Sequence, residues 1–566
     1  MQIDKKNKST ISRRLFLLKS FYLAFIGLNI GKTYSLQVIS NAQYSQLSEK
    51  NYIKTYKNYA LRGMIIDCNG LPLATNKKIY NVLYDPKTNY SLDSTLNKLN
   101  QLLDKKIDKN KLVNIKEKII LYNDISWKEI VKIELDFLRI PGVEIIESYK
   151  RYYCAKAMSN IIGYVIKDIK SYYYKPINGL ELFKNDILQG SEGIEKYKIN
   201  AQNKIIGKVD GIKSIVGNDL EITLNIKLQQ YIDKEFEKYA NSGSVVLLNI
   251  NNGHIKAMNT YPTYDNNLFV DGISLDNWSS INNDKLYPMI NRAVSLQIAP
   301  GSIFKIIAAV AALEEKKINN YTTYICKGYI DVGNHRFHCW NKNGHGLVRS
   351  LDHAMTISCN SYFYNIALKF GLDIDSLLYY AELLGFNAFY NLPLNDIKKG
   401  NLPNNKWRKE QYKNWTLGDT VNSVIGQGYL LATPLQFAIL GARIASGKVV
   451  LPEIILDNNT VAFDDLKIKK SNLYNIRNAM YNVINSRIGT ARKSKSNLIK
   501  IAGKTGTTQL TNTRNTTIVN HGEFIGFFPF DKPKYSISVI LEHGKSGANA
   551  SIFAKNIIEY IVKENI

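Results

Sequence analysis

An apolar run from Leu15 to Ile30 is broken only by Lys19, Ser20 and Asn29, and it follows a stretch holding Lys5, Lys6, Lys8, Arg13 and Arg14. A helix that crosses a bilayer needs about 17–20 mostly apolar residues. The run comes close to that lower bound if the Lys19 side chain snorkels to the headgroups. A cleaved signal peptide has a shorter apolar core and small residues at its cleavage point. Gly31-Lys32-Thr33-Tyr34 carries no such pattern. The reading is therefore an uncleaved anchor over 15–34, with residues 1–14 cytoplasmic and the remainder exported by the positive-inside rule. No later stretch approaches a second span.

Residues 35–60 are polar and helix-compatible, as a stalk leaving a membrane would be. Leu61–Asp67 reads as a short strand, and Asn69-Gly70 is a strong turn signal. Leu96, Leu99, Leu102 and Leu103 recur at helical spacing, which predicts a small inserted α+β lobe over about 90–145. From Arg151 to about Ile222 the pattern is mixed and strand-rich, punctuated by Gly163, Gly190, Gly193, Gly207, Gly211 and Gly217. The character shifts near 220. Strands such as Ser244–Ile250 then alternate with apolar helices such as Ile303–Leu313, and Leu498–Ala502 reads as strand. The boundaries expected are thus a tail (1–14), an anchor (15–34), a pedestal (35–220) and one larger mixed domain (221–566).

Composition sharpens this picture only slightly. The 566 residues carry 74 Lys+Arg against 48 Asp+Glu, a net +26, and 45% are hydrophobic. Disorder is excluded. Such charge points to nucleic acid or an anionic membrane surface. The basic residues are mostly scattered Lys among Asn, Ile and Tyr. No Arg stripe, finger spacing or aromatic RNA-binding motif occurs, and export argues against nucleic acid.

The chemistry begins at Pro300-Gly301-Ser302-Ile303-Phe304-Lys305, where a chain-breaking pair precedes an apolar helix. Ser302 falls at or near the helix start, and Lys305 shares its face. A serine hydroxyl needs a neighbouring base. A lysine serves as one when burial lowers its pKa. Taken alone, S-x-x-K is common, and a Ser cap followed by a solvated Lys is its ordinary meaning. Here Ser358-Cys359-Asn360 follows Ser302 by 56 positions, and Lys504-Thr505-Gly506-Thr507 comes later. S-x-x-K, a Ser-x-Asn-type triplet and K-T-G form, in this order, the signature of penicillin-binding proteins and serine β-lactamases.

On these residues the chain resembles the class B penicillin-binding proteins of the elongation type, the penicillin-binding protein 2 group. The likeness covers nearly the whole chain. It includes Arg62-Gly63-Met64-Ile65-Ile66-Asp67, Arg151-Tyr152-Tyr153, Gly193-Ile194-Glu195-Lys196-Tyr197 and Asn291-Arg292-Ala293. It continues through Gly426-Gln427-Gly428-Tyr429, Thr433-Pro434-Leu435-Gln436 and Glu542-His543-Gly544. Cys339-Trp340 with Gly344-His345-Gly346, and Trp415 with Gly418-Asp419, favour the elongation type. Cys359 is a departure, since many relatives carry another residue between Ser and Asn.

The resemblance implies an α+β multidomain chain: a transmembrane helix, an elongated α+β pedestal, and a transpeptidase domain of helices packed on an antiparallel sheet. It implies a peptidoglycan D,D-transpeptidase of the inner membrane with a periplasmic catalytic domain. Ser302 would attack the penultimate D-Ala carbonyl, with Lys305 as base and Ser358 bridging Lys305 and Lys504 and relaying the proton to the leaving amine. Asn360 would hold the donor peptide. Lys504, Thr505 and Thr507 would suit the terminal carboxylate, with Gly506 beside them in the substrate-binding set, and the N–H groups of Ser302 and Thr507 would form the oxyanion hole. β-Lactams would acylate Ser302. The implied partners are stem peptides from lipid II, a SEDS-family glycosyltransferase and other elongation-complex proteins. No cofactor is implied for catalysis. A class D-like β-lactamase or sensor, and a mainly scaffolding activator of a polymerase, are the rival readings; the first lacks a pedestal.

Five cysteines are too few for a disulfide framework in a chain of this size. Cys326, Cys339, His345 and Cys359 follow C-x12-C-x5-H-x13-C, which matches no finger template. Cys3His is nevertheless a structural zinc set. A Cys326–Cys339 disulfide and inert buried thiols are the alternatives, with His335 and His338 as rival ligands.

Overall fold

The computed structural model describes residues 3–39, 52–86, 91–104, 119–136, 140, 142–168, 174–200, 205–240, 242–411, 413–457, 461–510 and 519–566. They divide into two compact units, Met1–Ala60 with Gly190–Val216, and Leu61–Gln189 with Gly217–Ile566.

In the first unit a helix runs Ile3–Tyr34 and passes into a π-helical turn at Ser35–Ile39. Within it, Arg13–Ile39 is long and apolar enough to cross a membrane. Ile53–Asn58 is a strand, antiparallel to Gly193–Ile199, which pairs in turn with Ile205–Ile212. The expectation of a helical stalk is corrected here. A partner strand far along the chain takes up the backbone hydrogen bonds, and tertiary pairing outweighs weak local propensity. Residues 40–51 of that expected stalk lie outside the described residues.

The second unit opens with the anticipated hairpin between Ile65–Ile66 and Pro72–Tyr84. Asp67 Oδ1 accepts from the N–H groups of Asn69 and Leu71, and Gly70 takes φ +78°. Val143–Tyr153 runs antiparallel along Pro72–Tyr84. The helices Leu92–Leu103 and Trp127–Leu135 bury Leu96, Leu99, Leu103, Ile130 and Ile133 against this sheet, around a core of their own. Strand Ile119–Tyr122 joins the same sheet, so the inserted lobe extends the pedestal sheet.

Beside the hairpin lies a buried charge cluster. Glu181 Oε2 is 2.8 Å from Arg62 Nη2, Glu181 Oε1 is 2.7 Å from Arg151 Nε, and Tyr153 donates to the same Oε1 at 3.2 Å. Arg151 Nη1 also donates to the Gly63 carbonyl.

The C-terminal part is built on one antiparallel sheet. Its strands are β1 (Ser242–Asn249), β2 (Ile255–Tyr261), β3 (Ala502–Leu510), β4 (Val519–Phe528) and β5 (Tyr535–Glu542), in the order β2-β1-β5-β4-β3. Alternation along the strands splits two cores. Val245, Leu247, Phe524, Val539 and Leu541 pack with Phe553, Ile557 and Ile558 of the terminal helix Gly547–Lys563. Val246, Leu248, Ile525 and Ile540 face the other helices. Among those are α1 (Lys305–Glu314), α2 (Asn360–Leu368) and α3 (Pro434–Ser446). Thr433 and Gln436 form a capping box with Pro434 at the first turn, which explains why α3 starts there. A Cβ on Gly441 would stand 2.3 Å from Ser536 Oγ, so glycine lets α3 approach the sheet.

Candidate active site

Ser302 sits half-buried in a 3₁₀ turn, Gly301–Ile303, directly before α1. Gly301 has φ +47°, and its N–H donates to the Gly426 carbonyl at 2.9 Å. A Cβ on Gly426 would stand 2.1 Å from the Gly301 oxygen, so Gly426 must stay bare for the two turns to touch. A Cβ built at Gly301 would lie 3.4 Å from the Thr507 oxygen. The Ser302 turn therefore abuts β3, the edge strand of the sheet.

Lys305, fully buried, is the hub. Its Nζ donates to the Ser358 carbonyl at 2.8 Å, Ser358 Oγ at 3.2 Å and Asn360 Oδ1 at 2.6 Å. Lys504, also fully buried, donates to the same Ser358 Oγ at 2.9 Å and to the Thr505 carbonyl at 3.0 Å. Ser358 takes φ +53°, sparsely populated for a residue with a Cβ, and such strain clusters at functional sites. The turn that strains Ser358 aims both its oxygen atoms at Lys305.

Burial disfavours the ammonium form and pulls Lys305 down to about 8. It pulls Lys504 well below its ordinary value, and the nearby Lys305 charge adds to this. The three acceptors on Lys305 match the three protons of an ammonium group. A neutral amine has two protons and a lone pair. The Ser358 carbonyl and Asn360 Oδ1 can only accept, so the Ser358 hydroxyl contact is the one that gives way or reverses on deprotonation.

The structure thus brings Ser358 and Asn360 onto Lys305, one turn from Ser302, and Lys504 onto the same Ser358 hydroxyl. Lys504 lies within β3, which begins at Ala502, so Leu498–Ile501 precedes the strand instead of forming it. Gly506 belongs to the Lys-Thr-Gly motif, and Gly503 precedes it on the same strand. In the sheet they are spacing devices: a Cβ on Gly506 would lie 2.4 Å from Glu523 Oε2 and 3.2 Å from Ile303 Cγ1. Thr505 is buried, with its hydroxyl 3.1 Å from that of Thr490, while exposed Thr507 accepts from the Gly547 N–H at 3.1 Å. Thr490 and Gly547 carry no sequence signal that singles them out.

Two short hairpins assemble the thiol cluster: Tyr324–Cys326 with Gly346–Val348, and Tyr329–Val332 with His335–His338. The ligand atoms of Cys326, Cys339, His345 and Cys359 lie within 4.8 Å of one another. His345 Nδ1 stands 3.6 Å from Cys326 Sγ and 3.5 Å from Cys339 Sγ. All three cysteines are free thiols, so no Cys326–Cys339 disulfide forms. His338 contributes only its carbonyl, which accepts from Asn360 Nδ2 and Tyr364 Oη. Hydrogen bonding from Cys359 pulls Cys326 down to about 5 and Cys339 lower still, while Cys359 and His345 rise. Three sulfurs and one imidazole nitrogen, largely enclosed, form a donor set that can hold a metal ion.

The penicillin binding protein transpeptidase domain matches residues 243–560, and the penicillin-binding protein dimerisation domain matches 57–222. The chain belongs to the penicillin-binding proteins that join these two domains. It is 30% identical to the peptidoglycan D,D-transpeptidase MrdA of Haemophilus influenzae, over 100% of this chain and 94% of that one. It is 29% identical to MrdA of Escherichia coli strain K12, over 95% and 92%. Among solved structures, penicillin-binding protein PBP2 of Helicobacter pylori in complex with MreC is 28% identical, with a TM-score of 0.79 over 90% of this chain and 99% of that one.

Proposed function

We propose that this chain is a serine-type peptidoglycan D,D-transpeptidase that cross-links stem peptides during cell elongation and is acylated by β-lactams. The observation that carries the reading is the Ser358 hydroxyl held between two buried lysines, next to the Ser302 turn. Ser302 Oγ attacks the penultimate D-Ala carbonyl, and its proton passes to neutral Lys305. An ester forms, the peptide C–N bond breaks, and Ser358 passes a proton from Lys305 to the departing D-Ala amine. An amine of a neighbouring stem then attacks the ester, forms the cross-link and restores the Ser302 hydroxyl. Thr505, Gly506 and Thr507 bind the terminal carboxylate along β3, and the N–H groups of Ser302 and Thr507 hold the oxyanion. Asn360 orients Lys305 as well as the donor peptide.

The match over 57–222 weighs against a class D-like β-lactamase or sensor. The N-terminal helix anchors the chain in the inner membrane with its basic end cytoplasmic and the catalytic domain periplasmic. MreC, a SEDS-family glycosyltransferase and other elongation proteins are its partners; the Helicobacter relative, solved with MreC, supports the first of these. The test is release of D-Ala from a pentapeptide donor. Wild type releases it and cross-links. Ser302→Ala does neither, and a scaffold-only role predicts no difference between the two.

Cys326, Cys339, His345 and Cys359 would hold zinc. It would take no part in acylation and would supply a structural tie between the two hairpins and Cys359, which separates Ser358 from Asn360. Elemental analysis of purified protein is expected to give about one zinc per chain. Five titrating thiols without zinc would remove the site.

A further inference from the structure

Glu523 is the one acidic residue on β4, and its side chain is fully buried. It pairs with Gly506 on β3 and with Ile540 on β5. Its Oε1 is hydrogen-bonded to Thr508 Oγ1, and its Oε2 has no partner at all. Thr508 Oγ1 also reaches the Ala299 carbonyl at 2.8 Å, immediately before Pro300-Gly301-Ser302.

Counting protons decides the state of this chain of contacts. Thr508 has one hydroxyl proton. The Ala299 carbonyl can only accept, so that proton goes to Ala299. The Thr508–Glu523 bond then needs its proton from Glu523. A protonated carboxyl also leaves Oε2 as a neutral carbonyl oxygen, far cheaper to bury unpaired than a carboxylate oxygen. The surroundings agree. Lys504 on β3, His521 on β4 and Glu542 on β5 share this face by alternation. Lys504 is committed to Ser358 and Thr505, His521 accepts from the His543 N–H, and Glu542 pairs with Arg292 at 2.6 Å. The Ser302 turn presents Ala299 and Ile303. Among the described residues no cation pairs with Glu523. Burial accordingly pushes its carboxyl up to about 8.

We propose that Glu523 is a positioning residue: as a neutral acid it donates to Thr508, frees the Thr508 proton for Ala299, and so clamps the strand carrying Lys504 against the turn carrying Ser302. This rests on Ser302 being the acylated residue. Ionised Glu523 would compete for the Thr508 proton and release Ala299.

The test compares full-length wild type with Glu523→Gln and Glu523→Leu in acylation by a labelled penicillin from pH 6 to pH 9. Glu523→Gln keeps a donor that cannot ionise. Its rate relative to wild type is expected to stay within about threefold at pH 6–7 and to rise at least about threefold by pH 9. Taking this ratio cancels the titration of Lys305. Glu523→Leu, folded by circular dichroism, is expected to be about tenfold slower than wild type at pH 6–7 and to approach it by pH 9, where wild type has itself lost the clamp. A Gln-to-wild-type ratio that stays flat to pH 9, or a Leu variant as fast as wild type at pH 6–7, overturns the proposal. An infrared difference spectrum between wild type and Glu523→Gln at pH 7 needs no reaction. It is expected to contain a protonated-carboxyl band, and its absence overturns the proposal whichever residue is acylated.

Discussion

Lys305→Met is expected to lower the second-order rate constant for penicillin acylation by about 10²–10⁴-fold, the range for loss of a positioned general base. Methionine fills a similar volume at the start of α1, and the hydrophobic core around α1 is intact. The variant therefore separates chemistry from folding when its melting temperature is measured alongside. Wild-type acylation carries the signature of the same residue. With Lys305 near 8, the neutral amine is a minority form below that pH. The rate should rise about tenfold between pH 6 and pH 7. A rate that falls within a factor of ten of wild type in Lys305→Met, or that ignores pH over that range, would contradict a base at this position.

Glu181→Ala should be the most damaging substitution in the pedestal, at about 3–5 kcal/mol of stability, read as the change in unfolding free energy in denaturant. The reason is the partners left behind. Arg62 and Arg151 are both buried against Glu181, and Arg151 Nη2 already lacks a partner. Burial alone would raise the Glu181 carboxyl, yet Arg151 and Arg62 outweigh it and hold it below its ordinary value. Its stabilisation is therefore present above the unfolded-state pKa and is lost as pH falls through the folded one. A variant less than 1 kcal/mol weaker, with unchanged denaturant dependence, would show that the cluster contributes little.

These two sites were legible in the sequence to different degrees. Ser302, Lys305, Ser358, Asn360 and Lys504 are short strings whose residue types state their chemistry, so the order of the strings was enough to group them. The link from Lys305 to Asn360 was not legible, because it depends on the left-handed backbone at Ser358. Nor was the role of Gly506, whose meaning is the space it leaves beside Glu523 and Ile303. Cys326, Cys339, His345 and Cys359 could be singled out by type, but only two hairpins outside any familiar template bring them within reach. In the pedestal, Arg62 and Arg151 stand out in the sequence, whereas Glu181 carries no local signal and is identified by burial alone. Residues 53–58 were misread because a strand's identity lies in its partner, and that partner is Gly193–Ile199.

We infer that Ser302 is the nucleophile of a penicillin-reactive transpeptidase. Mass mapping after incubation of the folded, full-length protein with a labelled penicillin tests it most directly. One adduct is expected, on the peptide that contains Ser302, and none in Ser302→Ala. Labelling at any other residue, or none with any penicillin, would contradict it.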